Sequence, residues 1–110
     1  MLSDINYFNG TENYYKHWLG IHYTDGVKYV AEEASAYWLI DAIGSYQPKL
    51  RSEEFQSWTL QQNPNQTWTL RATDGNDKIL AEQKIEFSDF PLNKIAFYLV
   101  DKILMLTSEY

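Results

Sequence analysis

Two short stretches in the middle of the chain constrain the fold most. Gln56-Ser57-Trp58-Thr59-Leu60 and Thr67-Trp68-Thr69-Leu70-Arg71-Ala72 alternate apolar and polar side chains with period two. Successive side chains of an extended chain point to opposite faces, so each stretch reads as a strand with one buried face. Trp58 and Leu60 share one face, as do Trp68, Leu70 and Ala72. Opposed residues of an antiparallel pair share a face, so the connecting loop must be odd in length. Residues 63–65 or 63–67 would serve. Pro64 suits the second position of a turn beginning at Asn63, which favours the longer loop and pairs Leu60 with Leu70. Asp74-Gly75-Asn76-Asp77 then predicts a two-residue hairpin turn. That turn sets Ala72 against Ile79, Leu70 against Ala81 and Trp68 against Gln83. It carries the third strand through Ile85 and Phe87 on the same face.

The flanking regions read differently. Ala36, Leu39, Ile40, Ile43 and Gln47 recur at the spacing of one helix face, and Pro48 ends the run. At its start two structures compete. Thr24 or Asp25 can cap a helix running through Val27, Val30, Ala31 and Ala34, or Thr24-Asp25-Gly26 can be a hairpin turn. The helix formers Ala31, Glu32, Glu33 and Ala34 favour one long or kinked helix from about residue 25 to 46. Near the C-terminus Leu92, Ile95, Leu99, Ile103 and Leu106 fit a helix opened by Pro91. Residues 97–100 and 103–106 also fit two strands joined by Asp101-Lys102. Neither of those two residues takes positive φ as readily as Gly, so pattern alone leans towards helix.

At 110 residues the chain is expected to form a single domain, 1–110, with a core of its own. It has no Cys, which removes disulfides, thiolate metal sites and cysteine nucleophiles and fits a reducing, cytoplasmic location. Residues 1–7 lack the basic and apolar regions of a secretory leader, and no apolar run suits a membrane helix. Fifteen acidic against nine scattered basic residues give a net charge of −6. Direct binding of nucleic acid needs clustered Lys and Arg and is not expected.

No nucleophile–base pattern, dinucleotide fingerprint or phosphate loop occurs. No catalytic set, cofactor or metal is therefore expected. His17 and His22, five apart, match no metal-ligand spacing. Asp41 stands inside the apolar run Trp38-Leu39-Ile40-Asp41-Ala42-Ile43. On a helix it shares a face with Tyr37, so it is either a partly desolvated acid–base group or the polar edge of an amphipathic helix. Burying it unpaired would cost too much, so both versions require a partner. Four Trp, nine Tyr and five Phe are the distinctive excess. Tyr14, Tyr15, Trp18 and Tyr37 fall in its densest part. Either they rim the core with hydroxyls in water, or they form a protein-contact surface, where Tyr and Trp dominate binding energy.

Three stretches resemble an uncharacterised family of small bacterial proteins over nearly the whole chain. They are Phe8-Asn9-Gly10-Thr11-Glu12-Asn13-Tyr14-Tyr15-Lys16-His17, the run Tyr23-Thr24-Asp25-Gly26-Val27-Lys28-Tyr29-Val30-Ala31-Glu32 with Ala36–Ile43 after it, and the ending Asp89-Phe90-Pro91-Leu92 … Leu106-Thr107-Ser108-Glu109-Tyr110. The resemblance implies no activity, cofactor or site residue. Relatives carry a Gly-containing turn where Asp101-Lys102 stand and Pro where Thr107 stands, which implies a C-terminal hairpin, although this chain departs at both positions.

The expected fold is thus α+β. A mainly antiparallel sheet, the meander at about 55–87 plus the C-terminal hairpin, packs against one main helix at about 25–46. The function is expected to be a non-catalytic cytoplasmic module that binds a protein partner or itself. One alternative is an acidic inhibitor or decoy of a basic partner. Another is a small-molecule binder or enzyme with a pocket near Asp41. Candidate contact residues are Tyr37, Asp41, His17, His22, Tyr14, Tyr15 and Trp18.

Overall fold

A computed structural model describes residues 8–110. Residues 1–7, whose composition argued against a leader, lie outside the described residues. The strands are β1 (Tyr14–Lys16), β2 (His22–Thr24), β3 (Phe55–Gln62), β4 (Trp68–Thr73), β5 (Ile79–Ile85), β6 (Lys94–Val100) and β7 (Ile103–Leu106). The helices are α1 (Asp25–Glu33), α2 (Tyr37–Ser45) and the single turn α3 (Gln47–Leu50), and a 3-10 turn spans Thr107–Glu109. One seven-stranded sheet runs β1-β2-β7-β6-β3-β4-β5. Every neighbouring pair is antiparallel except β2 and β7. The fold is α+β.

One face of the sheet is buried and the helices cover it. Trp58, Leu60, Leu70, Ala72, Phe97, Leu99 and Leu104 meet Val27, Val30, Leu39, Ile40 and Ile43 in a single core. The expected helix face and the expected faces of β3 and β4 are the ones buried; on β5 the expectation fails at both ends, since Ile79 is exposed and the strand stops at Ile85, leaving Phe87 beyond it in solvent. The opposite face carries Thr59, Gln61, Thr69, Arg71 and Lys94. The first hairpin has the expected register, Leu60 against Leu70, over a loop in which Asn63 N–H donates to Thr67 O at 2.7 Å.

The second hairpin is displaced by two residues. Leu70 faces Gln83 and not Ala81, and Trp68 faces Ile85 and not Gln83. The turn is wider than two residues because the Asp74 carboxylate accepts from both Asn76 N–H (2.8 Å) and Lys78 N–H (3.2 Å), and Asp77 adopts φ +71°. A bulge opposite Ala72/Thr73 absorbs the difference; the even displacement keeps Ala81, Gln83 and Ile85 on the expected face, while across the bulge Ile79 pairs with Thr73 on the other one.

The helical span 25–46 is kinked at Ser35. Ala36 N–H donates to Ala31 O (2.8 Å), Ser35 N–H reaches Glu32 O (3.4 Å), and Ser35 sits at φ +50°. These are the two bonds of a Schellman cap, with Ser where Gly is usual and Ala36 packed beside Ala31. The C-terminal hairpin is present. Asp101 (φ +50°) and Lys102 (φ +67°) both take the left-handed conformation that a tight hairpin turn requires.

Candidate functional site

His17 opens the turn between β1 and β2, closed by His17 N–H to Ile21 O (2.8 Å) and Gly20 N–H to His17 O (3.0 Å). The turn carries the imidazole against α2, where it is buried. Nε2 lies 2.7 Å from Asp41 Oδ1, and Leu19 N–H donates to Nδ1 at 3.1 Å. Accepting at Nδ1 requires a lone pair there, so the ring proton sits on Nε2 and is donated to Asp41. Both nitrogens are committed within the fold. The pair ties the β1–β2 turn to α2 and leaves no ring nitrogen to take a proton from a substrate. Gly44 lies beside this turn, where a Cβ would stand 3.1 Å from Leu19 Cδ1 and 3.5 Å from His17 Cε1, so a side chain there would ask Leu19 to shift slightly.

Trp18 stacks on the His17 ring (centroids 5.7 Å apart, planes at 27°), yet 79% of its surface is in solvent. Tyr37, one turn before Asp41 on α2, lies near Tyr23, which stacks on Tyr15 at 5.5 Å. Burial first, and then the negative charge of Glu32, raise the Tyr37 phenol above its ordinary value. The fold thus gathers His17, Asp41, Trp18, Tyr37 and Tyr15 on the helix side of the β1 edge. It leaves out His22 and Tyr14. His22 stands exposed between Lys16 and Ile103, and Tyr14 points away from its neighbour Tyr15.

A second cluster surrounds the start of α1. The Asp25 carboxylate accepts from Tyr15 OH (2.9 Å), Glu12 N–H (3.1 Å), Asn13 N–H (3.3 Å) and the Asn13 side chain (3.3 Å). The Tyr15 hydroxyl is the main reason that this carboxyl is held below its ordinary value, and the same bond holds the Tyr15 phenol above its own. From the other side Glu109 accepts from Thr24 OH (2.6 Å), Gly26 N–H (3.1 Å) and Leu106 N–H (2.8 Å). Glu109 takes the first-turn amide of Gly26, and both carboxylates stand at the positive end of the helix dipole. Ser108 also donates to Phe8 O. Segments 8–17, 23–32 and 106–110 therefore meet at one point.

A family of unknown function, DUF6876, matches residues 1–110. The chain belongs to this family. No curated protein and no solved structure matches it. Parts of three of the stretches quoted above, at 8–15, 24–26 and 106–109, bind each other in the α1 clasp.

Sequence reasoning missed a cleft of about 300 Å³ between α3 and the β1–β2 turn. Leu19, Ile21, Leu50 and Leu99 form its apolar walls, with Arg51, Glu53 and Lys102 also lining it. Asp41 does not line it. At its side the buried Gln56 exchanges two hydrogen bonds with Gln47 (2.9 and 3.0 Å) and accepts from Trp58 Nε1 (2.9 Å). The signal was available, because Gln56 shares the parity of the buried Trp58 and Leu60. Among the described residues no group of three or more His, Asp or Glu could hold a metal ion. No described helix is long and apolar enough to cross a membrane.

Proposed function

We propose that this chain is a non-catalytic protein-interaction module of the cytoplasm, with its contact surface on the helix side of the β1 edge. The observation that carries the proposal is Trp18. A large indole stands almost wholly in water, on a histidine ring fixed at both nitrogens. Burying such an anchor in a partner gains much apolar area and loses little side-chain freedom. Half-exposed Tyr37 and Asp41, whose side chain is 52% exposed, add hydroxyl and carboxylate beside it. This chemistry suits a partner with an apolar pocket rimmed by cations.

The acidic-decoy alternative draws less support. Asp25 and Glu109 are consumed by the clasp, Asp41 binds His17, and Glu82 faces Arg71 at the far side of the sheet. These four acids are thus divided between opposite edges. Trp18→Ala tests the proposal in a pull-down from native extract. A protein retained by the wild type and lost with a folded Trp18→Ala supports it. Equal retention by both, or no retained protein, overturns it.

A further inference from the structure

The opposite edge of the sheet, β5, is built to pair with itself. We propose that two copies of this chain associate in solution by antiparallel β5–β5 pairing, on a two-fold axis normal to the sheet and passing through Gln83. Going beyond the Trp18 surface, this second site lies at the other end of the strand order.

Among the described residues β5 has a neighbour, β4, on one side only. No described strand pairs with its other side, and a strand in that position is a template for another strand. Pairing with β4 is regular only from Ala81 to Ile85, because the bulge interrupts it before Ala81. Gln83 is the centre of that regular run. A two-fold axis normal to the sheet keeps the helices of both copies on one side. Facing residues must then have the same parity, so the axis passes through a residue.

Charge selects which one. Centring on Glu82 sets Glu82 against its own copy. Centring on Lys84 sets Lys84 against its own copy and Glu82 against Glu86. Centring on Gln83 sets Glu82 of each copy against Lys84 of the other, twice, and Ala81 against Ile85. The neutral Gln83 meets itself on the axis. Both charged side chains are exposed, and each is paired within the chain only at the surface, Glu82 with Arg71 and Lys84 with Glu86 at 3.6 Å, so both stay in reach of a second copy. The charges that discourage indiscriminate edge pairing thus favour this one register.

The test is the solution mass by light scattering over a concentration series, for the wild type and three charge variants. The wild type is expected to reach twice the 13.0 kDa of the chain. Lys84→Glu sets acid against Glu82, and Glu82→Lys sets base against Lys84. Each is expected to weaken association about tenfold or more. The double variant Glu82→Lys with Lys84→Glu restores opposite charges and is expected to recover the wild-type dimer. Circular dichroism checks that each variant is folded. A wild type that stays monomeric, a dimer indifferent to the single reversals, or a double variant that stays monomeric overturns the proposal. Trp18→Ala is expected to leave the dimer mass unchanged, so this pairing and the Trp18 surface fail separately.

Discussion

Two regions of this protein place a carboxylate where a polar contact is needed, and they are built to different ends. At the start of α1, Asp25 and Glu109 each accept three or more hydrogen bonds and turn towards the protein. On α2, Asp41 accepts from His17 through one oxygen, while its side chain stays half in water. The first region spends its polar groups internally. The second uses one internal bond to fix a platform, and the groups left over face outwards. The outward chemistry is therefore to be sought in the second region and not at the clasp.

The strongest way to break the comparison is to crowd the clasp. A Cβ on Gly26 would fall 2.6 Å from Glu109 Oε1 and 2.7 Å from Leu106 Cδ1. Gly26→Ala must displace the Glu109 carboxylate from Thr24, Gly26 and Leu106, and is expected to cost about 2 kcal/mol in urea denaturation. Gly10→Ala, where a Cβ meets nothing within 4 Å, is the control, expected within about 0.5 kcal/mol of wild type.

The pH dependence sharpens it next. Asp25 has its folded pKa below the unfolded one, chiefly through Tyr15. Its contribution to stability is present above the unfolded value and lost as pH falls through the folded one. Tyr15 has its folded pKa raised, chiefly by Asp25, so its contribution is present below the unfolded value and lost as pH rises through the folded one. Tyr15→Phe is expected to flatten both the acid and the alkaline limb of a plot of Tm against pH. Unchanged limbs would show that the clasp is not held by this bond.

The smallest effects separate platform from contact. His17→Ala removes a buried ring bonded at both nitrogens, and is expected to cost about 1–2 kcal/mol. Trp18→Ala, one residue away, is expected to change stability by less than about 0.5 kcal/mol. Equal losses at the two positions would make Trp18 part of the fold and not a presented surface.

Much of this was legible in the residues, and the exceptions share a cause. Alternation at 56–60 and 67–72 gave the central strands, because burial on one face leaves a period-two record. The helix face at Ala36, Leu39, Ile40 and Ile43 was legible for the same reason. β1 and β2 were not, since three-residue strands are too short to show a period and β2 gains its place from a distant parallel partner. Ser35 and Asp77 hold left-handed conformations without the Gly that usually announces them. The displaced hairpin was set by a side-chain carboxylate capturing two amides, which turn statistics do not record. At the site, the need for a partner to Asp41 was legible, but its identity depended on a contact 24 residues away in sequence.

The parallel pairing of β2 with β7 has a consequence for the order of assembly. β1 and β2 emerge early in synthesis, yet they join the sheet only through β7, and Thr24 meets Glu109 across 85 residues. The β3–β6 block can form from nearby strands, while the first strands must wait for the last. Closing so long a loop before its contacts can compensate is a slow step, so the β1 edge that carries Trp18 is set in place late, when the rest of the sheet already stands.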